Sequence, residues 1–146
     1  MPEPSGVLSR QLLPASIAIF TTVALVAFEG LAVAAALPEL AAELGGVALL
    51  PWTITGFLLT SGIATAISGP LVDGIGTRTM FRWAVVIFVG ASVAAAFAPS
   101  MPVMIVARVV QGAGGGMISA VGIAAVGLVY PPHLVSRAFA ANATVW

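Results

Sequence analysis

The stretch Arg108-Val109-Val110-Gln111-Gly112-Ala113-Gly114-Gly115-Gly116 governs how the rest of the chain is read. It lies in an otherwise apolar run from Pro102 to Tyr130, long enough to cross a bilayer. An arginine there costs roughly 2.5–3.5 kcal/mol on insertion scales. It must therefore face a protein interior or a watery cavity, and it needs a partner. On a helix, Gln111 and Gly112 share its face. One wall is then polar at one level and almost bare of side chains at the next, and the other spans are expected to arrange themselves around it. The glycines at 112, 114, 115 and 116 each weaken a helix by up to about 1 kcal/mol relative to alanine. They read as close packing or a bending point. No strand precedes them and no Lys-Ser/Thr follows, which argues against a nucleotide-binding loop.

The composition around this stretch agrees. Of 146 residues, 60% are hydrophobic and 7% charged, with mean hydropathy +1.15. A soluble domain averages about 45–50% apolar and about 25% charged, so the chain reads as an all-α integral membrane protein. Net charge is zero and no basic run exists, which excludes nucleic acid as a partner. With no cysteine and a single histidine, His133, neither a disulfide framework nor a Cys/His metal site is available. No cofactor, metal or catalytic residue is expected. The N-terminus does not read as a signal peptide, because its apolar run far exceeds an h-region of about 7–15 residues.

In chain order, residues 1–14 form a polar, proline-rich lead. A first span is expected over 15–37, apolar except for Glu29 and ended by Pro38, followed by a connector over 38–50 with Glu39, Glu43 and Gly45-Gly46. A second span runs over 51–72, where Gly56, Thr60, Ala64 and Ser68 at four-residue spacing make one face uniformly small. Asp73 to Thr79 read as a tight polar turn with two glycines, in which Gly74 and Gly76 allow the reversal. The third span, 81–98, has no polar residue stronger than Ser92 and carries little penalty against lipid. Pro99 to Pro102 is a short return, so spans three and four should be antiparallel neighbours. The fourth span covers 102–130. After a polar connector with His133, Ser136 and Arg137, residues 138–146 open a fifth span that the sequence does not finish. The chain is therefore expected to be incomplete: four transmembrane helices plus the start of a fifth.

Arg10, Arg78, Arg82 and Arg137 all fall on connectors of one side, whereas the opposite connectors carry Glu39 and Glu43. The positive-inside rule then places the N-terminus and the 73–80 turn in the cytoplasm.

Two ionisable residues remain inside spans, Glu29 and Arg108. Glu29 lies eight residues before Leu37, about 12 Å deep, and Arg108 six residues after Pro102, about 9 Å deep. The two can meet if spans one and four are neighbours. Burial disfavours the charged form of a lone carboxyl, while an arginine ~4 Å away favours it by about 4 kcal/mol at an effective dielectric of 20. The two effects are similar in size, so moving the arginine or bringing in a cationic substrate would switch the carboxyl between acid and carboxylate. Three readings stay open: a proton-coupled site, a purely structural clasp between helices, or two groups that never meet. Gln111 and Gly112 are candidates for lining a substrate cavity, and for Gln111 a helix–helix contact is the alternative. Asp73 at the end of span two can pair with arginines or with a neighbouring helix N-terminus, or it can be an ordinary solvated turn residue.

These residues resemble a family. Gly69-Pro70-Leu71-Val72-Asp73-Gly74-Ile75-Gly76-Thr77-Arg78 looks like the G-x-L-x-D-r-x-G-r-r/k signature between spans two and three of the major facilitator superfamily. Arg108-x-x-Gln111-Gly112 is similar to the R-x-x-Q-G signature of that family's fourth span. Phe28-Glu29 through Ala36-Leu37-Pro38 looks like the acidic first-span motif of its drug–proton antiporters, and Trp52 with Gly56-Phe57-Leu58-Leu59 fits the start of their second span. The resemblance covers essentially the whole chain. It implies part of an N-terminal six-helix bundle, with alternating access and proton-driven export of hydrophobic or cationic small molecules. It further implies proton handling at Glu29 and Arg108, and a cytoplasmic gating loop of Gly69, Leu71, Asp73, Gly76 and Arg78. The implied partners are the substrate, protons, the lipid bilayer of a bacterial inner membrane, and a missing C-terminal half of the transporter.

Departures from the pattern thin the network: Gly74 and Thr77 stand where the loop signature has basic residues, and Glu29 where aspartate is usual. The Gly-x-x-x-Gly-Pro signature that marks antiporters would lie beyond Trp146, which leaves export versus import open. Two rivals remain: a complete four-helix multidrug transporter acting as a dimer, and a non-transporting assembly or sensor subunit in which Glu29–Arg108 is only a clasp.

Overall fold

The computed structural model describes residues 6–144. Five helices follow one another: α1 Leu13–Leu44, α2 Leu50–Ile75, α3 Thr77–Ala96, α4 Met101–Val129 and α5 Pro132–Ala143, with a 3₁₀ turn at Val47–Leu49 before α2. The first four are long and apolar enough to cross a membrane. In hydrocarbon each backbone N–H and C=O must be satisfied within its own segment, which the helix does. The expected terminal residues Val145 and Trp146 of the fifth span, and Glu3 of the lead, lie outside the described residues.

Three expected boundaries are corrected. Pro38 does not end α1, which continues to Leu44 through Glu39 and Glu43 and stops at Gly45-Gly46, with φ of +64° and +67°. An internal proline loses one hydrogen bond. At an exposed position near the helix end, that loss is smaller than the cost of opening several more backbone groups. The turn expected over 73–79 shrinks to one residue. Asp73 and Gly74 stay inside α2, and Gly76 alone separates α2 from α3. Its φ of +83° is a left-handed conformation that glycine adopts without a Cβ clash. Its N–H still donates to Val72 O (2.9 Å), and its carbonyl accepts from Met80 N (3.1 Å). The polar connector expected at 133–137 is likewise helical, because Pro132 occupies the first turn of α5, where a missing N–H has no consequence.

α4 is the centre of the bundle. In its most apolar window 44% of residues are buried, against 17–22% in the other three long helices. Contacts along its length fix the directions of its neighbours. Thr60 meets Val109 and Thr65 meets Gly116, so α2 runs parallel to α4. A Cβ at Gly114 would lie 2.7 Å from Phe88 N, and Ser92 meets Gln111, so α3 is antiparallel to α4, as expected. Glu29 pairs with Arg108 and Ser16 with Tyr130, so α1 is also antiparallel.

The small face of α2 lies against the glycines of α4. A Cβ at Gly112 would collide with Phe57 O and Thr60 Oγ1, and one at Gly116 with Ser61 O. The missing side chains let the two backbones approach, and two threonines bridge them. Thr60 Oγ1 donates to Val109 O (2.8 Å) and Thr65 Oγ1 to Gly116 O (3.1 Å). The glycines of α4 therefore serve packing, and α4 remains one continuous helix through them. Apolar clusters fill the rest: Val26, Phe57, Ala84, Phe88 and Ile118 in the middle, and Val72, Met80 and Val121 nearer the arginine-rich end. At that end Ile19, Val126, Tyr130, Leu134 and Ala138 join α1, α4 and α5. There Ser16 Oγ and Tyr130 Oη, both buried, are 2.6 Å apart.

Candidate functional site

The face of α4 carrying Arg108 and Gln111 turns toward α1 and α3, with the first turns of α2 alongside. Arg108 is 2% exposed and Gln111 1%, and both are hydrogen-bonded to protein groups. Arg108 NH1 donates to Glu29 Oε1 at 2.7 Å and to Gln111 Oε1 at 2.6 Å. Its Nε donates to Thr53 O on α2 at 3.2 Å, and its Cζ stands 4.3 Å from the centroid of the Phe57 ring. The guanidinium is thus held by an ion pair, two neutral acceptors and an aromatic face. That is the environment an arginine requires once removed from water.

Gln111 completes the arrangement. Its Nε2 donates to Glu29 Oε1 (2.8 Å) and to Ser92 Oγ on α3 (2.7 Å), while its Oε1 accepts from Arg108. The hydrogen bonds to Glu29 all fall on Oε1. Its side chain is 25% exposed and forms the floor of a cleft of about 290 Å³. The cleft extends from Glu29 past Ala32, Ala36 and Leu40 of α1, between α3 and α4. It leads away from the arginine-rich end of the bundle. One oxygen of the carboxylate is bound by fixed donors while the residue keeps access to the cleft. A proton or a cation entering the cleft meets a carboxyl whose counter-charge is already in place.

A smaller apolar cavity of about 180 Å³ lies nearer the arginine-rich end, between Ala18, Ile19 and Thr22 of α1 and Ile118 and Val121 of α4. Thr22 is the one polar side chain in its lining, so it offers no comparable chemistry.

Glu29, Arg108 and Gln111 meet at one point, and Gly112 sits one helical step beyond, buried against α2. The cavity-lining expectation for Gly112 is corrected: the cleft is lined by Gln111, whereas Gly112 is filled from behind by the backbone at Phe57. The loop residues Gly69, Leu71, Asp73, Gly76 and Arg78 are all exposed at the other end of the bundle. Among the described residues the one ion pair is Glu29–Arg108, so Asp73 and Arg78 are not brought together. Sequence reasoning missed Ser92, Phe57 and the Thr53 carbonyl. Phe57 and Ser92 each lie on a four-residue ladder of their helix that faces α4, but that face is visible only once the partner is known.

A model of the Major Facilitator Superfamily matches residues 17–146. This chain belongs to the major facilitator superfamily. Multidrug transporter protein MdtP of Bacillus subtilis is 34% identical over 101 residues, covering 69% of this chain and 19% of that protein. A probable multidrug-efflux transporter of Mycobacterium tuberculosis is 31% identical over 139 residues, covering 95% of this chain and 29% of that protein. A multidrug resistance protein B homolog of the same organism is 36% identical over 93 residues, 64% of this chain and 17% of its own length. The chain thus spans less than a third of the length of these curated relatives. No solved structure matches it. As a superfamily member with four apolar helices of spanning length, it is a multi-pass membrane protein. Within that family frame the Glu29–Arg108–Gln111 cluster is the candidate site.

Proposed function

We propose that this chain forms the N-terminal helices of a proton-coupled secondary transporter that exports small hydrophobic or cationic compounds by alternating access. The relatives, a multidrug transporter and a probable multidrug-efflux transporter by name, support the substrate class. One observation carries the coupling: the Glu29–Arg108 ion pair, 2.7 Å long, sits at the floor of a cleft inside apolar helices. The Arg108 guanidinium supplies the counter-charge to that carboxyl. A proton added to the Glu29 carboxylate removes its charge, leaving Arg108 with Gln111 and Thr53 as acceptors. A cationic compound in the cleft competes for the same negative charge, so substrate and proton exclude one another.

In this reading the arginine-rich end is cytoplasmic in a bacterial inner membrane, following the one-sided placement of Arg10, Arg78, Arg82 and Arg137. Gly69, Leu71, Asp73, Gly76 and Arg78 form a gating loop there. Their exposure leaves them available to another part of the transporter, such as its C-terminal half. A clasp with no transport role is the competing account of the same ion pair.

The test is proton release on adding a cationic dye to the purified whole protein in weakly buffered detergent solution. Release is expected from the parent and is lost in Glu29→Gln. A parent that binds the dye without releasing protons would overturn the coupling and leave only the clasp.

A further inference from the structure

We infer that Ser92 is a positioning residue for proton exchange at Glu29, acting through Gln111; the inference rests on the proton-coupled reading above. The Gln111 amide has two N–H groups and both are directed. One goes to Glu29 Oε1 at 2.8 Å and the other to Ser92 Oγ at 2.7 Å. Ser92 donates its own hydrogen to Phe88 O, one turn back in α3, at 2.8 Å. Its oxygen is therefore presented to Gln111 as an acceptor. Turning the amide over would set Gln111 Oε1 against the carboxylate and its N–H groups against Arg108, so the arrangement admits a single orientation.

The position of Ser92 is itself fixed by close packing. Gly114 on α4 leaves room for the backbone of Phe88, and a Cβ there would lie 2.7 Å from Phe88 N and 2.9 Å from its Cα. Ser92 follows four residues later on the same face of α3. A helix–helix approach set by a glycine thus places a hydroxyl that aims an amide that meets the carboxylate. When Glu29 gains a proton, Gln111 is still held by Arg108 on its own helix and by Ser92 on α3. Its N–H waits, aimed, for the charge to return.

The charged group facing Glu29 is Arg108 of α4. The titratable side chains of α2 and α3, Asp73, Arg78 and Arg82, belong to the opposite end, and Ser92 is the one polar side chain with which α3 lines the cleft of Glu29, beside Ala95 and Ala96. A hydrogen bond to the charged form of an acid favours that form. Loosening Gln111 therefore takes a donor away from that form.

The experiment follows dye-induced proton release against pH for the whole protein and its Ser92→Thr, Ser92→Val and Ser92→Ala variants. Thr and Val have nearly the same shape, so only the hydroxyl differs. The half-maximal pH should move upward by about one unit in Ser92→Val, roughly tenfold in proton affinity. Ser92→Thr should follow the parent. Ser92→Ala, which adds no bulk, should shift in the same direction as Ser92→Val and provides the readout if the larger side chain prevents folding. Equal profiles for Ser92→Val, Ser92→Ala and the parent would overturn the positioning role, as would equal shifts in Thr and Val. A parent whose release is independent of pH would instead overturn the proton-coupled reading itself.

Discussion

Glu29 and Arg108 meet through a single carboxylate oxygen, Oε1, which also receives the amide of Gln111. The acid is thereby bound through one oxygen while its side chain still lines the cleft. Glu29→Gln keeps the size of the side chain and its hydrogen bond to Arg108 but can no longer gain or lose a proton. The variant should insert normally and transport without pH dependence. Proton-gradient-driven efflux from vesicles is the measurement, and an unchanged gradient response would refute the assignment.

Arg108 should be harder to replace. Arg108→Ala removes the counter-charge of Glu29 and an acceptor-matched neighbour of Gln111 in one step. Breaking a buried pair from one side costs about 3–5 kcal/mol. Arg108→Lys keeps the charge but lacks the fork that reaches Thr53 O and Glu29 together while stacking on Phe57. Thermal unfolding in detergent should rank parent above Lys and Lys above Ala. A Lys variant as stable and active as the parent would show that charge alone suffices.

The glycines divide into two classes. Gly112→Ala and Gly116→Ala drive a methyl group into the backbone of α2, where nothing flexible can yield, and should destabilise by about 1–3 kcal/mol or more. Gly62→Ala and Gly122→Ala meet nothing within 4 Å and should be neutral or mildly stabilising, by up to about 1 kcal/mol. Comparing the four variants by thermal unfolding checks the parallel packing of α2 and α4 directly.

At the opposite end of the bundle, Ser16 Oγ lies 2.6 Å from Tyr130 Oη and 2.6 Å from Val7 O. Tyr130→Phe leaves Ser16 its carbonyl acceptors and should cost about 0.5–1.5 kcal/mol. Ser16→Ala strands a buried phenol and should cost more. The double variant should cost less than the sum of the two, since with both hydroxyls gone no phenol is stranded. Additive losses would mean that the two hydroxyls do not bond.

Asp73→Asn tests the gating loop. Because Asp73 is exposed and forms no ion pair among the described residues, its loss should leave unfolding within about 0.5 kcal/mol of the parent. A change in transport at constant stability would place its partner elsewhere in the whole protein. Constant transport as well would reduce the loop to an ordinary turn.

The meeting of Glu29 and Arg108 was readable from sequence because charges are rare in apolar runs and helical rise converts position into depth. Helix ends were harder to read. Pro38 and the glycines of the 73–79 segment are helix breakers in water, and the 133–137 connector carries polar residues between apolar runs. Near a membrane, however, an open backbone costs more than a lost proline hydrogen bond. Ser92 was hidden for another reason. A serine in a helix ordinarily bonds back to the carbonyl four residues earlier, as Ser92 does to Phe88. Its second role, as an acceptor, depends on which side of α3 meets α4, and an apolar helix of uniform polarity does not declare that side.

Gly76 leaves no slack between α2 and α3. With one residue joining them, and α4 seated against both through bare backbone, a push on any of the three is passed to the other two. α1 is attached differently, by a charged contact partway along, a hydroxyl pair near its start and the apolar side chains of Ile19 and Val26. The bundle therefore resembles a rigid frame with one separately hung leaf, and neutralising Glu29 undoes only the upper fastening of that leaf.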